Sequence, residues 1–363
     1  MKEKILEFLK QQEGFISGQR ICDELGISRT AVWKYMNSLK KEGYDVFGMT
    51  MDLLLPPYAP TVSSIADAAV VAEKLGIPHY FLDMKAAFRK EVVDYFSSAY
   101  LRGETPSPCI MCNKKIKLGL LAEEAQAKGA DIIVTGHYAD IRLTEHGVEL
   151  HKGSDVRRDQ SYFLFAVKKD ILQMLRCPLA TYSKEQTRAL ASEAGLEIAH
   201  KADSQDICFV SDGRYADLIE KLQSGFKDEP GDIINLQGKI LGRHKGIIHY
   251  TIGQRRGLGI GGGDILYVLK IDAQNNRIVV GAEKDLYQTE VRLENVNWLG
   301  EMQPSRADLY VKLRSRQKAV PARVEFDGNA AVVRLREEFA GVAPGQGCCF
   351  YDGTRVMGGG FIK

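Results

Sequence analysis

The feature that most restricts this chain is a change of rhythm along its length. From about residue 46, short apolar runs alternate with helical segments; from about Val291 only short strands and turns remain. VFGMTM reads as a buried strand. A helix from about Ser63 to Leu75 follows, closed by Gly76 ahead of Pro78. HYFLDM is the next strand, then come a helix from about Phe88 to Tyr100, a Pro-containing turn, and a helix from about Asn113 to Lys128. DIIVTG, starting at Asp131, is another apolar strand. Strands separated by helices pair in parallel, because the crossover helix returns the chain to start again in the same direction. Ligands of such sheets sit at the carboxyl ends of strands, and Gly136 and His137 stand at one such end. Near the C-terminus, ADLYVKLR, VPARVEF, AAVVRLR, CCFYDG and TRVMGG read as a small β-barrel. A length of 363 residues accommodates two or three domains.

The first 45 residues follow a different pattern. Ile5, Leu6, Phe8 and Leu9 recur at helical spacing before Gly14, Ser17 caps a short second helix, and Gly26 makes a tight turn. Ser28 then caps a third helix with Ala31, Val32, Tyr35 and Leu39 on its inner face. This is helix-turn-helix organisation. The stretch SGQRICDELGISRTAVWKYMNSLKKEGYDV resembles the winged-helix domain of biotin-operon-repressor type biotin ligases. That resemblance implies DNA as a partner of residues 1–45, with Arg29, Thr30 and Lys34 facing the groove. The segment holds eight basic and seven acidic side chains, so a helical packing or dimerisation module is the alternative.

Composition sets the wider limits. Hydrophobic residues make up 45% of the chain and charged residues 26%, a globular profile. No apolar run approaches the ~20 residues that span a bilayer, so we expect no membrane contact and a cytoplasmic location. The net charge is +2, but residues 305–336 carry eight basic side chains against three acidic ones. That stretch reads equally as a phosphate-contacting surface or as a solvated β-surface. The seven cysteines, at 22, 109, 112, 177, 208, 348 and 349, are an odd number and form no disulfide framework in a cytoplasmic chain. Cys348 and Cys349 lie in an apolar strand and read as core. Cys109 and Cys112 form a CxxC at a helix N-terminus beside Lys114, Lys115 and Lys117, where positive charge and the helix dipole favour a thiolate. Half of a zinc site and a redox pair are both open for such a motif, although a second CxxC is absent. Cys208 lies in the polar, acid-flanked segment KADSQDICF.

Six motifs then occur in order: SPCIMCNKKIK, TGHYA, RRDQSYFLF, SKEQTRALASEAGLEIAHKADSQDICFV, PGDIINLQGKILGRHKGIIHYTIGQRRGLGI and APGQGCCFYDGTRVMGGG. Together, from about Tyr44 to Lys363, they resemble the tRNA-specific 2-thiouridylases. The resemblance implies a parallel sheet of the adenine-nucleotide-hydrolase kind, a small central domain and a C-terminal β-barrel. It implies a reaction in which ATP adenylates the C2 oxygen of the wobble uridine of tRNA and a persulfide sulfur displaces it. Cys208 matches the persulfide carrier and Cys112 the residue that releases the sulfur. Met51 and Gly136 match nucleotide contacts. Ser107, Pro108 and Cys109 match the loop near the target base; Arg158, Asp159 and Gln160, and also Arg314 and Ser315, match tRNA contacts. The family usually carries Asn at position 107 and Tyr at 315. An iron–sulfur cluster on Cys109, Cys112 and Cys208 is the alternative chemistry the resemblance leaves open; the residues themselves give no dedicated metal site. A sulfur-donor protein, such as a cysteine desulfurase or a sulfur carrier, is the implied partner besides tRNA.

One departure stands out. The family opens with a strand and a loop of the form SGGxDSS, whose backbone N–H groups and helix N-terminus hold the ATP phosphates. In residues 1–60 the nearest string is GISRTAV, without the paired glycines or the Asp. The helix-turn-helix segment stands in place of the first βα unit. We therefore expect four parts: residues 1–45 helix-turn-helix; 46–203 an α/β domain lacking its first βα unit; 204–290 a central tRNA-positioning domain; 291–363 a β-barrel. The sheet should lack a strand and ATP should be held weakly. A 2-thiouridylase is the first reading; a tRNA-binding pseudoenzyme, and a DNA-binding regulator responsive to sulfur or redox state, are the alternatives.

Overall fold

The computed structural model describes residues 45–53, 63–193, 207–210, 215–222, 228–261 and 265–363. The expected helix-turn-helix, with Arg29, Thr30 and Lys34, lies outside the described residues. The chain divides into two units. The first comprises Met1–Lys85, Leu118–Ser161 and Val167–Gln205; the second comprises Ala86–Lys117, Tyr162–Ala166 and Asp206–Lys363.

In the first unit the parallel sheet is present in two pieces. Strand β1 (Gly48–Asp52) pairs in parallel with β2 (His79–Asp83), from Gly48 opposite His79 to Asp52 opposite Asp83. Helix α1 (Ser63–Leu75) makes the crossover between them. Strands β3 (Ile133–Val134) and β6 (Leu175–Arg176) form a second parallel pair. Among the described residues no strand joins the two pairs. This is what deletion of one particular strand should leave. A doubly wound sheet runs in the order 3-2-1-4-5, so without strand 1 it falls into a 3-2 pair and a 4-5 pair. In that order β1 and β2 match places two and three, and β3 and β6 match places four and five, with no strand at place one among the described residues. Parallel sheets are normally covered on both faces, yet the successive residues Tyr80 and Phe81, which point to opposite faces, are both exposed, Phe81 by 52%. Val134 is 53% exposed. A hairpin of β4 (Ala139–Thr144) and β5 (Gly147–Lys152) completes the strands of this unit.

Two long helices lead into and out of the cysteine motif. Lys85–Phe88, Arg89–Asp94 and Tyr95–Leu101 run on as α2, and Pro108–Met111, Cys112–Leu120 and Leu121–Ala127 as α3; the middle segment of each is π-wound. Such segments recur at functional sites, and the one in α3 begins at Cys112. Leu118 (φ −115°, ψ 22°) kinks α3. Helix α2 buries Phe88, Val92, Val93 and Phe96, and α3 buries Ile110 and Ile116. Gly103, at φ +78°, stops α2: the Glu104 N–H reaches back to the Ala99 carbonyl at 2.9 Å. A side chain there would strike Ile271, whose carbonyl oxygen would lie 2.8 Å from a Cβ.

The second unit also holds two sheets. One runs β8 (Ile240–His244), β7 (Gly231–Asn235), β10 (Arg277–Gly281), β9 (Tyr267–Asp272). The other is a closed six-stranded barrel of β11 (Tyr287–Trp298), β14 (Ala330–Ala340), β13 (Val320–Asp327), β12 (Arg306–Lys312), β15 (Gly347–Asp352) and β16 (Arg355–Ile362), closed by pairing of β11 with β16. Alternation along its strands sends Val311, Val324, Val333, Cys348 and Phe350 inward to a shared core. Cys348 and Cys349 are both fully buried, as their apolar context predicts. No helix among the described residues is long and apolar enough to cross a membrane.

Candidate active site

The cysteine motif is set up by the chain that precedes it. Ser107 caps α3 in an extended conformation (φ −111°, ψ 77°), Pro108 starts the helix, and the Ile110 N–H returns to the Ser107 carbonyl at 3.1 Å. Proline suits this place because its fixed φ is helical and its missing N–H would lack a partner there anyway. Cys109 and Cys112, three residues apart, share one side of the helix. Cys109 is exposed and Cys112 is only 9% exposed. Cys208 joins them through its neighbour. Phe209 is buried edge-on between Phe88 and Phe96 of α2, at 5.7 and 5.3 Å between ring centres. Tyr215, at the start of helix α4 (Tyr215–Leu222), stacks on Tyr100 at 4.6 Å. These aromatic contacts hold the chain on both sides of Cys208 against α2.

The three thiols sense one another. Partial burial raises the Cys112 thiol to about 12, and raises Cys109 and Cys208 as well; neighbouring thiolates add to this at Cys109 and Cys112. Lys117, one turn beyond Cys112 on α3, opposes the rise at all three. All three are free thiols. Among the described residues no set of three or more His, Cys, Asp or Glu is placed to hold a metal ion. As arranged, these thiols do not fit the expected cluster.

The nucleotide candidates lie in the other unit. Met51 is near the carboxyl end of β1, and Gly136 two residues past the end of β3. The Thr135 N–H continues the β3–β6 ladder to the Arg176 carbonyl at 3.0 Å, and the Thr135 hydroxyl bonds His137 Nδ1 at 2.9 Å. A side chain at Gly136 would meet only Leu179, at 3.7 Å, so local packing does not demand glycine. Both residues thus occupy strand ends where a flat adenine is commonly received. At the end of β1 the next residue is Asp52, ion-paired to Lys85 at 2.7 Å. For the phosphates, no loop of the form SGGxDSS precedes β1 in the sequence.

Of the matched tRNA contacts, several side chains serve the fold. The Asp159 carboxylate accepts the Gly153 and Ser161 N–H groups at 3.2 and 3.0 Å, and Gln160 accepts the Tyr138 N–H at 2.9 Å. Arg158 beside them is exposed. Arg314 donates a short hydrogen bond to the Gly341 carbonyl, while Ser315 is half-buried and Arg316 and Lys318 are exposed. Three of the eight basic side chains of this stretch are ion-paired on the barrel wall. Asp308 accepts from Arg323 and Arg336, and Arg334 pairs with Glu290 and Glu325. Sequence reading did not single out Lys117 as a shared cation or Tyr162 as a contact of Ser107; the first was signalled by the lysine run after the CxxC, the second by nothing local.

Comparison with known proteins identifies the family. The family described as tRNA methyl transferase HUP domain matches residues 30–212, tRNA methyl transferase PRC-barrel domain matches 220–282, and aminomethyltransferase beta-barrel domain matches 288–362. A helix-turn-helix domain family matches residues 2–49. The tRNA-specific 2-thiouridylase MnmA of Rhodospirillum centenum is 47% identical over 342 residues, covering 89% of this chain and 86% of that protein. That of Parvibaculum lavamentivorans is 45% identical over 345 residues, with the same coverage. That of Rickettsia bellii is 46% identical over 334 residues, covering 89% of this chain and 91% of its own.

Proposed function

The chain belongs to the tRNA-specific 2-thiouridylase family, and we infer from this that it acts on tRNA, replacing the C2 oxygen of the wobble uridine by sulfur. The observation that supports the reading at residue level is that Cys109, Cys112 and Lys117 share helix α3 while Phe209, next to Cys208, packs on α2 of the same unit, with Lys117 favouring the thiolate at all three cysteines.

In this reading Cys208, exposed and held by Phe209, takes a sulfur atom from a donor protein and becomes a persulfide. The Cys112 thiolate attacks the Cys208 sulfur; the Cys112–Cys208 bond forms, the outer sulfur–sulfur bond breaks, and hydrosulfide departs with the electron pair to attack C2. External thiols reduce the resulting disulfide before the next turnover. Lys117 stabilises whichever thiolate is present. Ser107, Pro108 and Cys109 face the base, and Arg158, Arg314 and Ser315 mark the tRNA side, joined by the exposed Arg316 and Lys318. Asp159 and Gln160 act by shaping the 153–161 turn. Bound ATP would activate the C2 oxygen as a leaving group. Met51 and Gly136 would receive its adenine, and the sequence supplies no cradle for its phosphates.

Complementation tests this. The chain is expressed in cells lacking their own 2-thiouridylase, with Cys208→Ala as control, and 2-thiouridine is measured in digested tRNA by mass spectrometry. Its return, abolished by Cys208→Ala, is expected. Its absence, while the folded protein still binds tRNA, would replace the enzyme reading by that of a tRNA-binding protein without catalysis.

A further inference from the structure

We propose that Tyr162 is a positioning residue for the cysteine-bearing helix α3, fastening the turn before it to the opening of barrel strand β15. The inference rests on the sulfur-transfer reading above and concerns what sets the place of the thiols.

Residues 104–107 have no regular structure of their own, so other segments must fix them. The first contact is Tyr162, 1% exposed, whose hydroxyl donates to the Gly347 carbonyl at 2.8 Å and also hydrogen-bonds the Ser107 side chain. One buried phenol therefore ties the helix cap to the first residue of β15. The second is the turn that leads into β15. The Thr105 N–H donates to the Pro344 carbonyl at 2.7 Å, and the Gln346 side chain donates back to the Thr105 carbonyl at 2.8 Å. Gly345, at φ +86°, lies so close that an added Cβ would be 3.1 Å from the Thr105 carbonyl oxygen. The third is Tyr95, whose hydroxyl bonds the Ser107 backbone.

The segment that carries Tyr162 is itself pinned on both sides. Asn113 of α3 donates to the Phe163 carbonyl at 3.2 Å, and Asn297 of β11 donates to the Phe165 carbonyl at 2.7 Å. Tyr162, Leu164, Phe165 and Ala166 are all buried. Residues 162–166 thus form a plug between the cysteine helix and the barrel. Cys109 follows Ser107 by two residues, so movement of the cap moves the thiol with little attenuation. A displacement of ~1 Å at a reacting group can cost up to ~100-fold in rate.

The test uses the full chain carrying Tyr162→Phe, which removes only the hydroxyl. Cys208 is loaded by a persulfidated cysteine desulfurase; the loaded fraction is read by mass spectrometry, and hydrosulfide release, with formation of the Cys112–Cys208 disulfide, is timed. Loading should be unchanged and release should slow about fivefold, the worth of one buried hydrogen bond. Ser107→Ala should slow release similarly, and the double variant should be no slower than either alone. Val333→Ala opens a cavity in the barrel core on β14, which pairs with β11 and β13 and not with β15; it should lower the melting temperature and leave release unchanged. Release that is unaffected in Tyr162→Phe, or that falls equally in Val333→Ala, overturns the proposal. If wild-type Cys208 accepts no sulfur, the sulfur-transfer reading fails separately, and positioning is then judged by Cys109 alkylation. A rate altered about fivefold by Tyr162→Phe supports positioning, and an unchanged rate refutes it.

Discussion

In the free protein Cys112 should be a slow thiol, and the expected slowness can be worked out. Burial disfavours its charged form and holds its pKa at about 12. At pH 8 roughly one part in 10,000 is then thiolate, against roughly a quarter for an ordinary cysteine of pKa about 8.5. The deficit is roughly 2,000-fold. A more basic thiolate is also a better nucleophile, and a Brønsted slope of about 0.4–0.5 returns roughly 40-fold of this. The net expectation is alkylation some 50- to 100-fold slower than for a free thiol at the same pH. The sign fixes the pH profile. Because the pKa is raised, the rate should climb about tenfold per pH unit from 7 to 9.5 without a plateau, whereas an ordinary cysteine levels off above about 8.5. Iodoacetamide labelling of the full chain at a series of pH values, with Cys112-containing peptides quantified by mass spectrometry, reads this directly. Lys117→Gln removes the one charge that lowers all three thiols and should slow labelling at each. A Cys112 rate within tenfold of a free thiol at pH 8, or a plateau below pH 9, would refute the burial argument. If Cys112 is slow as expected, an attacking role requires that bound tRNA or the donor protein change its surroundings.

Two further outcomes follow from packing and from the divided sheet. A Cβ added at Gly359 would lie 2.5 Å from the Cys348 carbonyl oxygen and 2.6 Å from Phe165 Cδ2, so Gly359→Ala should lower unfolding stability by about 1–3 kcal/mol, read as a reduced denaturant midpoint; an unchanged midpoint would show that the barrel yields there freely. Without a phosphate cradle, ATP and adenosine should bind alike and weakly, with Kd no tighter than about 1 mM; calorimetry showing ATP at least tenfold tighter than adenosine would reveal a phosphate site built from other residues.

The sequence spoke clearly where the signal was local. Strand–helix alternation located β1, α1 and β2, and the strand-only rhythm located the barrel, because periodicity reports burial of one face directly. The CxxC and its lysines were equally visible. The absence of an SGGxDSS loop was legible in the sequence, whereas the two separate parallel pairs needed the pairing itself. Other failures share one cause, which is sequence distance. Arg323 stands directly opposite Asp308 across the β12–β13 pair, so part of a run that looks basic along the chain is paired across it; register is not written in either strand alone. Asp159 and Gln160 look like surface polar residues in a motif, but their acceptors satisfy backbone N–H groups of a tight turn. Tyr162 looks like one aromatic residue among several in SYFLF, and its partners Ser107 and Gly347 lie 55 and 185 residues away.

The partition of the chain also bears on what loss of the phosphate loop does. Cys109, Cys112, Cys208, Lys117 and Tyr162 all belong to one unit, and Met51 and Gly136 to the other. The contacts that place the thiols run from α3 to the 162–166 plug and the barrel, and the aromatic contacts of Phe209 and Tyr215 run to α2. None of them uses β1, β2, β3 or β6. Tyr80, Phe81 and Val134 of these strands are exposed, and no SGGxDSS loop precedes β1 in the sequence, so the expected cost of that departure falls on nucleotide binding. In the proposed reading, the thiol chemistry depends on helix capping, aromatic packing and a buried phenol, all present in the other unit. Persulfide loading of Cys208 should therefore persist even where uridine activation fails. The two halves of the reaction can be lost independently because their scaffolds are built from different segments of the chain.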